Sequence, residues 1–103
     1  MSITDQFLGK KVLIRSYASG VHFGTLEQCT PDNSGRFTVK LSNTRRIHYW
    51  EGACSCSQIS NDGIRTGRVS VQLDEIIIAE AIEIIPLQEP ASTNLEKQPV
   101  WKS

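Results

Sequence analysis

Lys11-Val12-Leu13-Ile14-Arg15-Ser16-Tyr17, then Ala18-Ser19-Gly20, then Val21-His22-Phe23-Gly24-Thr25-Leu26 is the stretch that decides the fold. Two runs of β-branched and aromatic residues flank a Ser-Gly turn signal, so the segment reads as an antiparallel hairpin. With a two-residue turn at Ser19-Gly20, Tyr17 lies opposite His22. Leu13, Arg15 and Tyr17 then share a face with His22, Gly24 and Leu26, and Gly24 leaves space beside Arg15. Val12, Ile14, Ala18, Val21 and Phe23 take the other face, which is the expected core.

Downstream, the same grammar continues. Thr30-Pro31-Asp32-Asn33-Ser34-Gly35 is dense in turn formers. Arg36 to Ser42 alternates, with Phe37, Val39 and Leu41 on the buried side. Ser42-Asn43-Thr44 reads as a turn, and Arg45-Arg46-Ile47-His48-Tyr49-Trp50 as a fourth strand of a meander. Ala53, Cys56 and Ile59 recur at helical spacing, which predicts a short helix over 53–60 stopped by Asn61-Asp62-Gly63. Arg68 to Leu73 alternates as a fifth strand. Residues 74–85 hold six isoleucines between 76 and 85. They predict a strand from about Glu80 to Ile85 with a bent or bulged approach from Ile76, and a helix is the alternative that short apolar runs leave open. From Leu87 onward the composition turns polar, apart from Val100-Trp101 near the end. The expectation is an all-β or α+β fold, a small antiparallel, partly open barrel-like sheet of five to six strands with one short helix. The domain spans 10–87, after an N-terminal arm (1–9) and before a polar C-terminal tail (88–103).

Composition narrows the function. A chain of 103 residues with 39% hydrophobic and 21% charged residues supports one modest core. Eleven basic and eleven acidic residues cancel, which argues against a DNA- or RNA-polymer binder, since such proteins carry a basic excess. The cancellation hides a dipole: residues 10–71 carry nine Lys/Arg against four Asp/Glu, and 72–103 carry two against six. That pattern fits either an ordinary dipolar surface or a basic pocket for a small anion. Residues 1–7 lack a basic flank followed by an apolar run, and no stretch is long enough to span a bilayer, so the expectation is a cytoplasmic protein without a membrane partner. Three cysteines, Cys29, Cys54 and Cys56, do not suggest a disulfide framework. The Cys54-x-Cys56 spacing is too short for a zinc knuckle, and Cys56 falls on the apolar face of the predicted helix. No metal, cofactor or catalytic constellation is expected, hence no enzyme.

Two groups of residues remain as candidates for ligand contact. Arg15, Tyr17 and His22 form a polar and aromatic set away from the expected core. Arg45, Arg46, His48, Tyr49 and Trp50 form a second, with Ile47 and Tyr49 on one face and Arg46, His48 and Trp50 on the other. Arginine forks match phosphate oxygens and flat rings stack on bases, so together they suit a nucleotide-type ligand. The same rings also suit a β core or an oligomer interface.

Residues 11–26, together with Arg45-Arg46-Ile47-His48-Tyr49-Trp50-Glu51-Gly52-Ala53 and Glu80-Ala81-Ile82-Glu83-Ile84-Ile85-Pro86, resemble a family of small proteins of tailed bacteriophages and prophages that has no assigned activity. The resemblance covers roughly residues 9 to 87. His48, Cys54, Cys56 and the Pro31–Gly35 loop depart from the family pattern. What the resemblance implies is a phage-encoded protein acting in the cytoplasm of the infected bacterium. By analogy with phage proteins that blunt host defence, it implies non-enzymatic sequestration of a nucleotide-derived immune signal, in a homo-oligomer. The alternative is a protein–protein interaction module or small structural phage component without a small-molecule ligand.

Overall fold

The computed structural model of the chain describes residues 3–102. Five strands form one antiparallel sheet: β1 (Lys11–Ser16), β2 (Gly20–Pro31), β3 (Phe37–Glu51), β4 (Thr66–Val69) and β5 (Leu73–Pro86). Two short helices, α1 (Cys56–Asp62) and α2 (Glu89–Glu96), pack on it, and a 3-10 turn over Ile3–Phe7 precedes β1. The strand order is β2-β1-β5-β3-β4, and β2 also pairs with β3. That extra pairing joins the ends of the row, so β1, β2, β3 and β5 make a partly closed ring, with β4 laid beside the last residues of β3.

Strand length forces the closure. A straight strand of 15 residues would run about 50 Å, longer than the molecule's greatest extent of 36 Å. β3 therefore curls, and the register of its pairing with β2 shifts between Phe23 and Thr25 and between Leu26 and Gln28. Asn43 sits at φ 49, a left-handed conformation that Asn tolerates better than most residues. The turn expected at Ser42-Asn43-Thr44 is thus a kink inside one strand, and the predicted third and fourth strands are one. β5 bends in the same manner at Glu80, φ 57, which is the bulge the isoleucine-rich run predicts. The strand expected at 68–73 is the shorter β4, ending at Val69.

The first hairpin forms, but with a different register. Ser16 pairs with Gly20 and Ile14 with His22, so the connection is the three-residue loop Tyr17–Ser19. Gly20, at φ 87, takes the left-handed position that such a loop needs. Relative to the two-residue expectation the pairing moves by an odd number of residues, which exchanges faces. His22 therefore joins Val12 and Ile14, and Leu13 joins Val21 and Phe23.

Both faces of this sheet are buried. Val12, Ile14, Leu26, Val39, Leu41, Ile78 and Ala81 come from all four ring strands and fill the ring. Leu13, Val21, Phe23, Ile47 and Val69 face outward onto Ile59, Ile64 and Leu95, brought by α1, the loop after it and α2. The face that carries Leu13, expected to lie away from the core, is itself buried, because helices cover it.

Local chemistry explains the helices. Ser55 caps α1 by accepting from Gln58 N at 3.2 Å, and Gln58 Oε1 accepts in turn from Cys54 N at 2.9 Å. Gly63 ends the helix at φ 83. α2 falls in the polar C-terminal stretch and has Pro90 in its first turn. It packs Ala91 and Leu95 inward, and Asn94 clamps the Ile64 backbone through two 2.8 Å hydrogen bonds.

The tightest point of ring closure is Gly24, where a Cβ would meet Ser42 O and the Thr44 Cβ, each at 2.9 Å. Gly24 lies against β3, not in open space beside Arg15. Two of its three nearest atoms belong to backbone, so relief requires moving a strand. Gly24→Ala is expected to lower unfolding free energy by about 1–3 kcal/mol, measured by chemical denaturation. An unchanged midpoint would show that the ring is looser than described.

Candidate ligand-binding site

A cavity of about 440 Å³ opens where β1, β2, β3 and β5 meet. Its polar lining comes from Ser16, Ser19, His22, Thr44, Arg46, His48 and Ser70, with Glu80 at one side. Leu73, Ile76, Ile77 and Ile78 form the apolar wall. A cavity of this volume with few convergent polar groups is the usual form of a small-molecule site.

The sequence candidates divide. His22, Arg46 and His48 meet at this cavity. His22 is 2% exposed, and its Nε2 lies 3.1 Å from Ser19 Oγ. Burial, then the adjacent Arg46 charge, lowers its pKa to about 4 against a hydrogen bond to the Ser19 backbone that raises it, so the ring is neutral at physiological pH. Arg46 is exposed on the same side, and its backbone is tied to Ser70: Arg46 N donates to Ser70 Oγ at 2.8 Å, and Ser70 N to Arg46 O at 2.9 Å. Arg15, Arg36 and Arg65 each face a glutamate, at 3.3, 3.5 and 3.1 Å. Among the described residues no carboxylate pairs with Arg46. Thr44 also borders the cavity, and its Oγ1 is buried without a hydrogen-bond partner among the described residues.

Of the other five candidates, four sit elsewhere and Arg45 touches the cavity only at its border. Arg15 pairs with Glu83 on the outside of β1, and Tyr17 stands in the hairpin loop, 68% exposed, with the Arg36 guanidinium 4.5 Å from its ring centre. Arg45 borders the cavity, but the residue is 5% exposed and its guanidinium lies on the opposite face of β3. There it donates to the carbonyls of Ser70 (2.7 Å), Gln98 (2.9 Å), Leu95 (3.3 Å), Val69 and Pro99 (3.4 Å each) and Glu96 (3.5 Å). Its role is structural. Trp50 does not share a face with Arg46 and His48. The β3–β4 register shifts between Ile47 and Tyr49, and this bulge turns Trp50 onto the outer core, where its indole N–H donates to Ala53 O at 3.2 Å. Tyr49 is exposed on the other side, 5.6 Å from Arg68.

Four contributors escaped sequence reading. Thr44 carried a turn signal, Ser70 lay in an expected strand, Ser16 preceded the turn and Ser19 formed part of it. No local pattern marks them, because they converge only through ring closure. As for the cysteines, Cys29 and Cys56 are half-buried and burial raises both thiol pKa values, whereas Cys54 is exposed. Among the described residues no three His, Cys, Asp or Glu groups cluster as a metal site would, and no helix is long and apolar enough to cross a membrane.

The neutral His22 makes stability depend on pH. In the unfolded chain the imidazole titrates near 6.5, and in the fold at about 4. Between those values the unfolded state binds more protons, so stability falls as pH drops through the window. The loss should reach about 3 kcal/mol by pH 4, and His22→Asn should remove most of that slope in denaturant titrations. Equal slopes in both proteins would place His22 in contact with water.

No curated protein and no solved structure matches this chain. One family model does, across residues 9–95, which takes in every strand, α1 and most of α2. By that match the chain belongs to the family described as Domain of unknown function (DUF6948).

Proposed function

We propose that this chain binds, without transforming, a small phosphorylated ligand of nucleotide type in the cavity beside Arg46. Its biological use would be sequestration of a bacterial immune signal by a phage protein in the cytoplasm of its host. The observation that carries the proposal is an arginine without a carboxylate next to a buried hydroxyl without a partner, in one cavity. A buried unsatisfied hydroxyl costs roughly 1–3 kcal/mol, and a ligand oxygen would recover it at Thr44 once a small shift of the lining uncovers Oγ1. The Arg46 fork suits phosphate, and the uncharged His22 offers a hydrogen bond with no added charge to desolvate. The isoleucine wall gives a sugar or base an apolar surface. No step of bond making is needed, and none is proposed.

Ile77, Leu73 and Val71 stand 69%, 46% and 57% exposed, with Leu73 and Ile77 at the cavity itself. A second copy of the chain laid over them would bury this apolar edge and enclose the ligand, which suits the expected homo-oligomer. The competing reading is a protein-interaction module, favoured by Tyr49 and Trp101 lying exposed on either side of Arg68.

A thermal-shift screen of cyclic di- and trinucleotides and ADP-ribose derivatives, followed by calorimetric titration, tests the proposal. Arg46→Ala should weaken binding of the selected ligand about 10- to 150-fold at unchanged melting temperature, since one charge-assisted contact is lost from an exposed residue. Trp50→Ala should do the reverse, lowering the melting temperature and sparing affinity. No binding of any of these compounds by the native chain at millimolar concentration would favour the interaction module.

A further inference from the structure

The segment after α2 runs along β4 and carries Trp101 against His48, a residue of the cavity lining. Val100 bridges Val69 in parallel, Trp101 N donates to Val69 O at 2.9 Å, and Arg45 holds Gln98 O at 2.9 Å. These contacts fix the backbone leading up to an indole that is still 45% exposed. Ordering a chain end costs conformational entropy, and here it is spent on presenting the ring outward, not on burying it. The indole centre lies 5.2 Å from the His48 ring, tilted 52° to it, and Arg68 lies 5.5 Å away. His48 lines the cavity and stands two residues along β3 from Arg46, about 6–7 Å in an extended strand.

Arg46, His48 and Trp101 thus form a row from a free cation to a flat apolar ring. A nucleoside phosphate has the same order: phosphate, sugar, base. Building on the proposed phosphate site, we infer that Trp101 is its base-stacking residue, and that the ligand class is nucleoside phosphates rather than sugar phosphates or inorganic anions. The ring that sequence pattern assigns to Trp50 is supplied by Trp101, from the far end of the chain. Arg45 is then a positioning residue, since it sets the strap that carries the indole.

The test compares two probes on the full chain by calorimetric titration: adenosine 5′-monophosphate and ribose 5-phosphate, which lacks the base. The native chain should prefer the nucleotide by roughly 5- to 150-fold, the worth of one base–aromatic stack. Trp101→Ala should erase that preference and leave ribose 5-phosphate binding as it was, while Trp101→Phe keeps most of the preference and controls for any change in strap docking. Arg46→Ala should weaken both probes. Equal affinity of the native chain for the two probes, or a preference that survives Trp101→Ala, overturns the stacking role while the phosphate site stands. Failure of both probes to bind the native chain overturns the phosphate site and the inference with it.

Discussion

A guanidinium buried inside a small protein must find acceptors for a full set of N–H donors, and Arg45 finds them in backbone carbonyls. Among the described residues no carboxylate pairs with it. Its six acceptors come from three places: the end of β4 and the residue after it (Val69, Ser70), the last turn of α2 (Leu95, Glu96), and the strap beyond (Gln98, Pro99). Burial pulls the Arg45 pKa below its ordinary value, yet arginine retains its charge at any physiological pH. Charge-assisted hydrogen bonds are the strong ones, each worth about 1.5–3 kcal/mol. The cation also lies at the carbonyl end of α2, the end of a helix that favours positive charge. One side chain therefore ties a strand, a helix and the chain end together, and the outer core closes beneath α2.

Curvature is the second constraint. β3 and β5 are too long to lie straight across a molecule this size. Each bends where a non-glycine residue adopts positive φ, at Asn43 and Glu80. Thr44 pairs with Leu73 in the β3–β5 ladder, and Thr44, Arg46, Leu73, Ile76 and Ile78 all contribute to the lining of the cavity. Strained backbone beside a pocket is a common companion of function. Here the strain has an independent structural cause, since the ring cannot close without it.

Much of this was legible from residue pattern, and the failures have physical reasons. The hairpin, the bulged isoleucine strand and the helix around Ile59 follow from turn chemistry and periodicity. Face assignment along β1 and β2 did not survive, because a loop longer by one residue reverses parity. Trp50 was misplaced by the same kind of event, a bulge near His48 that no propensity announces. Asn43 carried a true left-handed signal, used for a kink and not for a turn. His22, from one candidate group, and Arg46 and His48, from the other, line one cavity. Arg45, beside them in sequence, turns to the other face, as strand alternation requires, and serves the core. Thr44 at the cavity and Trp101 against His48 were invisible in the sequence, since only tertiary closure brings them there.

The central claim is that the last fifteen or so described residues are part of the folded unit through Arg45, and are not a loose extension of it. Hydrogen exchange of the native chain at neutral pH tests this directly. Leu95 is fully buried and Trp101 N donates to Val69 O at 2.9 Å, so the amides of Leu95 and Trp101 should exchange with protection comparable to β3 and β4. Full exchange of residues 89–102 at the earliest time point, with the five strands still protected, would contradict the account.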